Sequence, residues 1–184
     1  GPVKDNKMTP RIADTAKHLW YIYLSLTIAC AGAYWLAGMN LFDAICHAFS
    51  TVAIGGFSNH DASLGYFNSP LVNIVCTVFL LIAALNFSLH YAAVSSRSVK
   101  GYFKDPEFKA FFFIQATLIL ICFLVLVLSG FYESAETALD QAMIQAVSIS
   151  TTAGFATTDF SVWPTFLPIL LIFSSFIGGC ASST

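Results

Sequence analysis

The sequence predicts an all-α, multi-pass membrane protein made of two tandem units, each a helix, a re-entrant hairpin and a second helix. Three observations predict this. Of 184 residues, 57% are hydrophobic and 10% charged, where soluble domains run at roughly 45–50% and about 25%. The eight Lys and Arg residues form two clusters: Lys4, Lys7, Arg11 and Lys17, then Arg97, Lys100, Lys104 and Lys109. Displacing the chain by 98 residues aligns Leu41–Pro70 with Leu139–Pro168 without a gap, with nine of 30 positions identical. The composition excludes a soluble enzyme. The net charge of −2 and the lack of a concentrated basic face exclude a nucleic-acid partner.

The elements follow from charge-free stretches, since a span needs about 20 apolar residues at 1.5 Å each. The first unit, 1–98, holds a helix over about 12–39, a hairpin over about 41–61 and a helix over about 68–97. The second unit, 99–184, holds a helix over about 106–132, a hairpin over about 138–159 and a last helix over about 162–184, which its glycines interrupt. Both basic clusters are cytoplasmic by the positive-inside rule. The segment from Ala44 to Ser58 is too short to cross, and a crossing there would put Arg97–Lys109 on the outer face. It therefore enters and returns on one side, as membranes allow where protein or a water-filled cavity shields the backbone. The outer face carries Asp43, Asp61, Glu133, Glu136, Asp140 and Asp159 and no Lys or Arg.

The repeat shows which chemistry the units share. Identities include Ala44/Ala142, Ala48/Ala146, Ser50/Ser148, Gly56/Gly154, Phe57/Phe155 and Asp61/Asp159, whereas His47 becomes Gln145, Ser58 becomes Ala156 and His60 becomes Thr158. Acid–base groups are not kept; Gly-Phe at the return is. A short helix starting near Asp43 or Asp140 directs its negative C-terminal end into the membrane. The carbonyls of Ala53-Ile54-Gly55-Gly56-Phe57 and Thr151-Thr152-Ala153-Gly154-Phe155 follow, and a cation is their natural occupant. Ile54, Gly55, Thr152 and Ala153 are the first candidates for inward oxygens. Gly56 and Gly154 permit the turn, and Phe57 and Phe155 brace it by packing. The alternative is an intramembrane hydrolase using Ser50 or Ser58 with His47 or His60. Asp43, His47 and Ser50 lie along one helix face, but a triad needs side chains that converge.

Ile54-Gly55-Gly56-Phe57-Ser58, Thr151-Thr152-Ala153-Gly154-Phe155 and Phe176-Ile177-Gly178-Gly179-Cys180-Ala181-Ser182-Ser183-Thr184 resemble the Trk/Ktr/HKT superfamily of potassium transporters, most closely its bacterial Trk-type membrane subunits. The likeness covers essentially the whole sequence. It implies a potassium-channel-like fold of four such units, of which this chain holds the second and most of the third. Each unit would give one pore loop to a single filter, with potassium held by carbonyls at Ile54, Gly55, Gly56, Thr152, Ala153 and Gly154, flanked by Ala53, Phe57, Thr151 and Phe155. Potassium is then the only cofactor and no catalysis is involved. The resemblance further implies a bacterial inner-membrane location with periplasmic loop mouths, a lipid environment, a homodimer and a cytosolic nucleotide-binding regulatory subunit, TrkA.

The same resemblance makes Gly178, Gly179, Cys180, Ala181, Ser182, Ser183 and Thr184 an intramembrane gate loop. The residues themselves point there too. Gly178 lies roughly 15 Å down a helix from Pro168, its first-unit counterpart is Leu80, and each helix-interior glycine costs roughly 1 kcal/mol relative to alanine. Tight packing through small residues is the alternative, but it does not explain why the first unit keeps leucines there, and the asymmetry favours the loop. Cys30, Cys46, Cys76, Cys122 and Cys180 have no ligand spacing and read as small buried hydrophobes. Asn86, His90 and Gln115 read as partners in interhelical hydrogen bonds.

Overall fold

The computed structural model describes the backbone of residues 5–182 and the side chains of residues 10–178. Eight α-helices account for the described fold, α1 (Asp5–Leu36), α2 (Leu41–Val52), α3 (Pro70–Ala84), α4 (Phe87–Ser96), α5 (Lys100–Lys104), α6 (Pro106–Leu128), α7 (Ala135–Ser150) and α8 (Leu167–Ser182). Side-chain caps set the starts. Asn40, Ser69, Asp105 and Ser134 accept from Asp43, Val72, Phe108 and Thr137 N–H at the heads of α2, α3, α6 and α7, each satisfying an orphan donor. Pro70 and Pro106 occupy first-turn positions where no amide hydrogen is needed.

Within α1, Pro10–Leu36 is long and apolar enough to cross a membrane, and so is α6. At 12 and 16 residues, α2 and α7 reach only about 18 and 24 Å. Each is followed by a non-helical return. In each unit the short helix packs on the preceding long one, α2 on α1 and α7 on α6, and α3 crosses to α7. The alanines kept between the units explain themselves here: Ala44, Ala48, Ala142 and Ala146 are fully buried, where small side chains let helices approach closely. One core combines Cys30, Tyr34, Leu64, Val72 and Leu80 of the first unit with Ile144, Val147, Ala153 and Phe155 of the second. Among the described residues the cysteines are free, Cys30, Cys76 and Cys122 being buried.

Two sequence expectations need correction. The single helix expected over 68–97 is a pair, α3 and α4, bent by 88°. Leu85 and Asn86 are extended, and Asn86 Oδ1 accepts from Ser88 N–H to cap α4. Ile82 carbonyl, released by the break, accepts from Leu85 N–H and His90 Nε2. That bond leaves His90 Nδ1 to accept from Tyr102 Oη, 2.8 Å away.

The interruption expected at Gly178 and Gly179 is not at those residues, because α8 stays helical to Ser182. Two helix-interior glycines cost only about 2 kcal/mol together, and Gly178 uses its missing Cβ. A Cβ there would overlap the carbonyl oxygen of Ser150. Displaced by 98 residues, the Leu85–Asn86 break falls on Ser183–Thr184, outside the described residues. The side chains of Gly179–Thr184 also lie outside them.

Candidate functional site

The returns after α2 and α7 share an unusual backbone. Ile54 and Thr152 have φ of 52° and 66°, and Gly56 and Gly154 have φ of 68° and 83°. These are equivalent positions in the repeat. Positive φ at a β-branched residue is a real outlier, and such strain costs about 1–3 kcal/mol and concentrates at functional sites. Residues of alternating hand turn successive peptide groups the same way, N–H to one side and carbonyl to the other.

Four of the six N–H groups of the two returns are occupied. Ile54 and Gly55 N–H donate to Thr51 and Ser50 carbonyls at 3.0 and 2.7 Å, and Thr152 and Gly154 N–H donate to Ile149 and Ser148 carbonyls at 3.0 and 3.2 Å. The carbonyls of Ile54, Gly55, Gly56, Thr152, Ala153 and Gly154 accept no hydrogen bond from any described residue. A backbone carbonyl is an obligatory acceptor. The returns thus leave six carbonyl oxygens free against two N–H groups, those of Gly56 and Ala153, a balance that suits a cation better than an anion.

The two returns abut. A Cβ on Gly56 would overlap the carbonyl oxygen of Ala153, whereas one on Gly154 would meet nothing within 4 Å. Behind the joint, Gly65 N–H donates to Ala156 carbonyl at 2.9 Å, and Ala156 N–H donates to Ser63 Oγ at 3.2 Å. A cavity of about 430 Å³, lined in part by Gln145, Gly154, Thr157 and Asp159, opens beside the second return.

Polar side chains fasten each return to its helix. In the first unit His47 Nδ1 donates to Asp43 carbonyl, which leaves Nε2 to accept from Ser58 Oγ, both at 2.7 Å. The Asp43 carboxylate accepts from Asn59 Nδ2 at 2.7 Å and pairs with His60 Nε2 at 3.0 Å. Burial pushes the Asp43 carboxyl up, but the hydrogen bonds of Asn59 and His60 and the nearby imidazoles outweigh it and hold it below the usual carboxylate range. In the second unit Gln145 Nε2 donates to Thr157 Oγ1 at 2.9 Å, and Thr157 Oγ1 donates to Gln141 Oε1 at 2.6 Å. Positions 43/141, 47/145 and 59/157 are equivalent. Counting identities in the repeat missed them because they keep hydrogen bonding and change residue type.

Ser58 and His47 do meet, as the hydrolase alternative requires. The equivalent of His47, Gln145, bonds instead to Thr157, one position beyond the Ser58 equivalent Ala156, and an amide cannot act as a base, so what the two units share is the fastening. Ser50 Oγ is buried with no partner among the described residues. Asn86 and His90 serve the α3/α4 bend, and Gln115 Oε1 accepts from Ser150 Oγ at 2.9 Å, joining α6 to α7. Phe155, 1% exposed, braces its return within the shared core. Phe57, expected to do the same, is 80% exposed and lies over Gly55. The difference is one of neighbours: Phe155 buries against the first unit, and no described residue stands at the corresponding place for Phe57.

Tandem short-helix hairpins presenting carbonyls beside helices long and apolar enough to cross a membrane place the chain among polytopic α-helical membrane proteins. A family model described as TrkH, cation transport protein, matches residues 1–184, and the chain belongs to that family. It is 68% identical over its whole length to the Trk system potassium uptake protein TrkH of Vibrio parahaemolyticus, and 58% identical to that of Escherichia coli. The chain spans 38% of the length of each. A crystal structure titled as the potassium transporter TrkH from Vibrio parahaemolyticus superposes with a TM-score of 0.90 at 66% identity, covering 94% of this chain and 37% of that one. The hydrolase alternative finds no support among these relatives.

Proposed function

We propose that this chain supplies two adjoining pore loops of a potassium uptake protein of the bacterial inner membrane, multi-pass, with its basic clusters cytoplasmic and its loop mouths periplasmic. A potassium ion sheds water at the returns and is held by carbonyls of Ile54, Gly55, Gly56, Thr152, Ala153 and Gly154, with Ala53, Phe57, Thr151 and Phe155 flanking them. The observation that carries this reading is the set of six carbonyls at matched positions in both units, spared from hydrogen bonding while four of the six N–H groups beside them are used. The acidic outer surface, with Asp61 and Asp159 exposed, draws cations toward the mouth.

The segment Gly178–Thr184 is the proposed gate, and the seat of Gly178 on Ser150, one residue before the second return, supports its coupling to the filter. The Trk system names of the relatives imply companion components, and we assign a homodimer and the cytosolic subunit TrkA to the intact protein by family likeness.

The test is rubidium uptake into vesicles containing the full-length protein. Gly56→Ala, which forces a methyl group into the carbonyl of Ala153 and onto a positive φ, abolishes uptake, and Thr152→Ala, which removes only a side chain, retains it. Undiminished uptake in Gly56→Ala overturns the reading.

A further inference from the structure

Beneath the α3/α4 bend lies a cavity of about 870 Å³, lined by residues of α1, α3, α4, α5 and α6, among them Leu26, Ile82, Val94, Tyr102, Phe108 and Phe112. Its origin is geometric. The 15 residues of α3 reach about 22 Å into a hydrocarbon core of roughly 30 Å, and the 88° turn carries the chain sideways there. About 8 Å of inner leaflet below α3 is left unfilled, while α1 and α6 run on to either side. The volume is that of a pocket for a sizeable ligand, and its walls are mainly apolar, with His18, Ser25 and Ser95 the polar side chains besides His90 and the tyrosines. His90, the buried polar residue among them, spends both nitrogens on Ile82 and Tyr102.

The rim has the opposite character. Lys100 and Lys104 interleave with the wall residues Val99, Tyr102 and Phe103, and Lys17 Nζ stands 5.9 Å from the ring centre of the wall residue Tyr21. Among the described residues, none of Arg11, Lys17, Arg97, Lys100, Lys104 and Lys109 has a carboxylate within 4.0 Å. The neighbouring described acids pair with none of these cations. Asp105 accepts from Phe108 N–H as the cap of α6, Glu107 lies in that helix's first turn, and Asp14 lies 3.6 Å from His18.

We propose that this slot binds an anionic phospholipid of the cytoplasmic leaflet, its chains lying under the bend and its phosphate among Lys17, Lys100 and Lys104. An apolar slot with an unneutralised basic rim calls for an occupant that is apolar below and anionic at its head. The chain's own acids outside the basic clusters all lie at the opposite face, so neither these segments nor a second copy of them supplies that combination. The proposal rests on the cytoplasmic placement of the basic clusters and not on the carbonyl filter. Impermeant-reagent labelling of Lys100→Cys reads that placement separately.

The test uses the full-length protein in vesicles of equal phosphatidylglycerol and phosphatidylcholine, with retained lipid counted by native mass spectrometry. Phosphatidylglycerol is retained in preference to phosphatidylcholine. Lys100→Gln with Lys104→Gln lowers that preference by roughly thirty-fold, at about a factor of five per lysine near a membrane surface. Val94→Trp, or Ser95→Trp should the first not fold, fills the slot and removes bound lipid of both kinds. Equal retention of the two lipids, a preference unchanged in the lysine variant, or a photoreactive group at Val94 that captures polypeptide instead of lipid overturns the proposal.

Discussion

Asn73 on α3 donates to both carboxylate oxygens of Asp140 on α7, at 3.1 Å each, and so joins the inner helix of one unit to the short helix of the next. Burial already raises the Asp140 carboxyl above its usual range, and Asn73 and Gln141 oppose that rise. Asn73→Leu therefore leaves a half-buried charge without its main donor and destabilises the protein by about 1–3 kcal/mol. Adding Asp140→Leu restores much of the loss. Thermal unfolding of the two single variants and the double variant measures the coupling, and strict additivity contradicts the tie.

The fastening of the first return predicts an ordering of variants. Ser58→Ala strands the buried Nε2 of His47 and costs about 1–3 kcal/mol. His47→Gln supplies the residue that the second unit has at this position, with an amide that still reaches a hydroxyl, and keeps uptake within about threefold of the parent, a difference of roughly 0.65 kcal/mol. Comparing rubidium uptake and melting temperature for both variants decides whether the imidazole acts by hydrogen bonding or by proton transfer.

Asp43 gives the first return a pH dependence of known sign. Its carboxyl titrates lower in the folded protein than its ordinary value of 3.8, so the stabilisation is complete above that value and is lost as pH falls through the folded pKa. Acid melts of the parent decline more steeply below about pH 4 than those of Asp43→Asn. Parallel acid limbs refute this account.

Gly178→Ala improves intrinsic helix propensity by about 1 kcal/mol, yet its methyl group overlaps the Ser150 carbonyl. The variant should melt lower than the parent despite the better propensity, with altered rubidium permeability because α8 shifts against the second return. A higher melting temperature would show that this contact yields easily.

Much of this was legible in the sequence, and what was missed has identifiable physical causes. Hydropathy, the basic clusters and the 98-residue repeat mark the long helices and the hairpins because burial and topology act on composition over many residues. The α3/α4 bend rests on one asparagine, Asn86, which caps α4 inside an apolar run and leaves charge and hydropathy unchanged; read as an N-cap before Phe87-Ser88, it was the available signal. The left-handed Ile54 and Thr152 carried no signal at all, since β-branched residues disfavour that conformation; the local backbone bonds of the returns to Ser50, Thr51, Ser148 and Ile149 accompany it. Gly178 and Gly179 misled in the other direction, because a glycine serves close approach as readily as a break.

The contact of Gly56 with Ala153 is directional: one hairpin offers the hollow, the next the projection, and Gly154 repeats the hollow with nothing against it among the described residues. Head-to-tail joints of this kind have no natural stopping point except closure into a ring, where every member is both lock and key. Register errors at one joint would then propagate around the circle, so the ångström-scale fit at a single glycine constrains the diameter of the whole aperture.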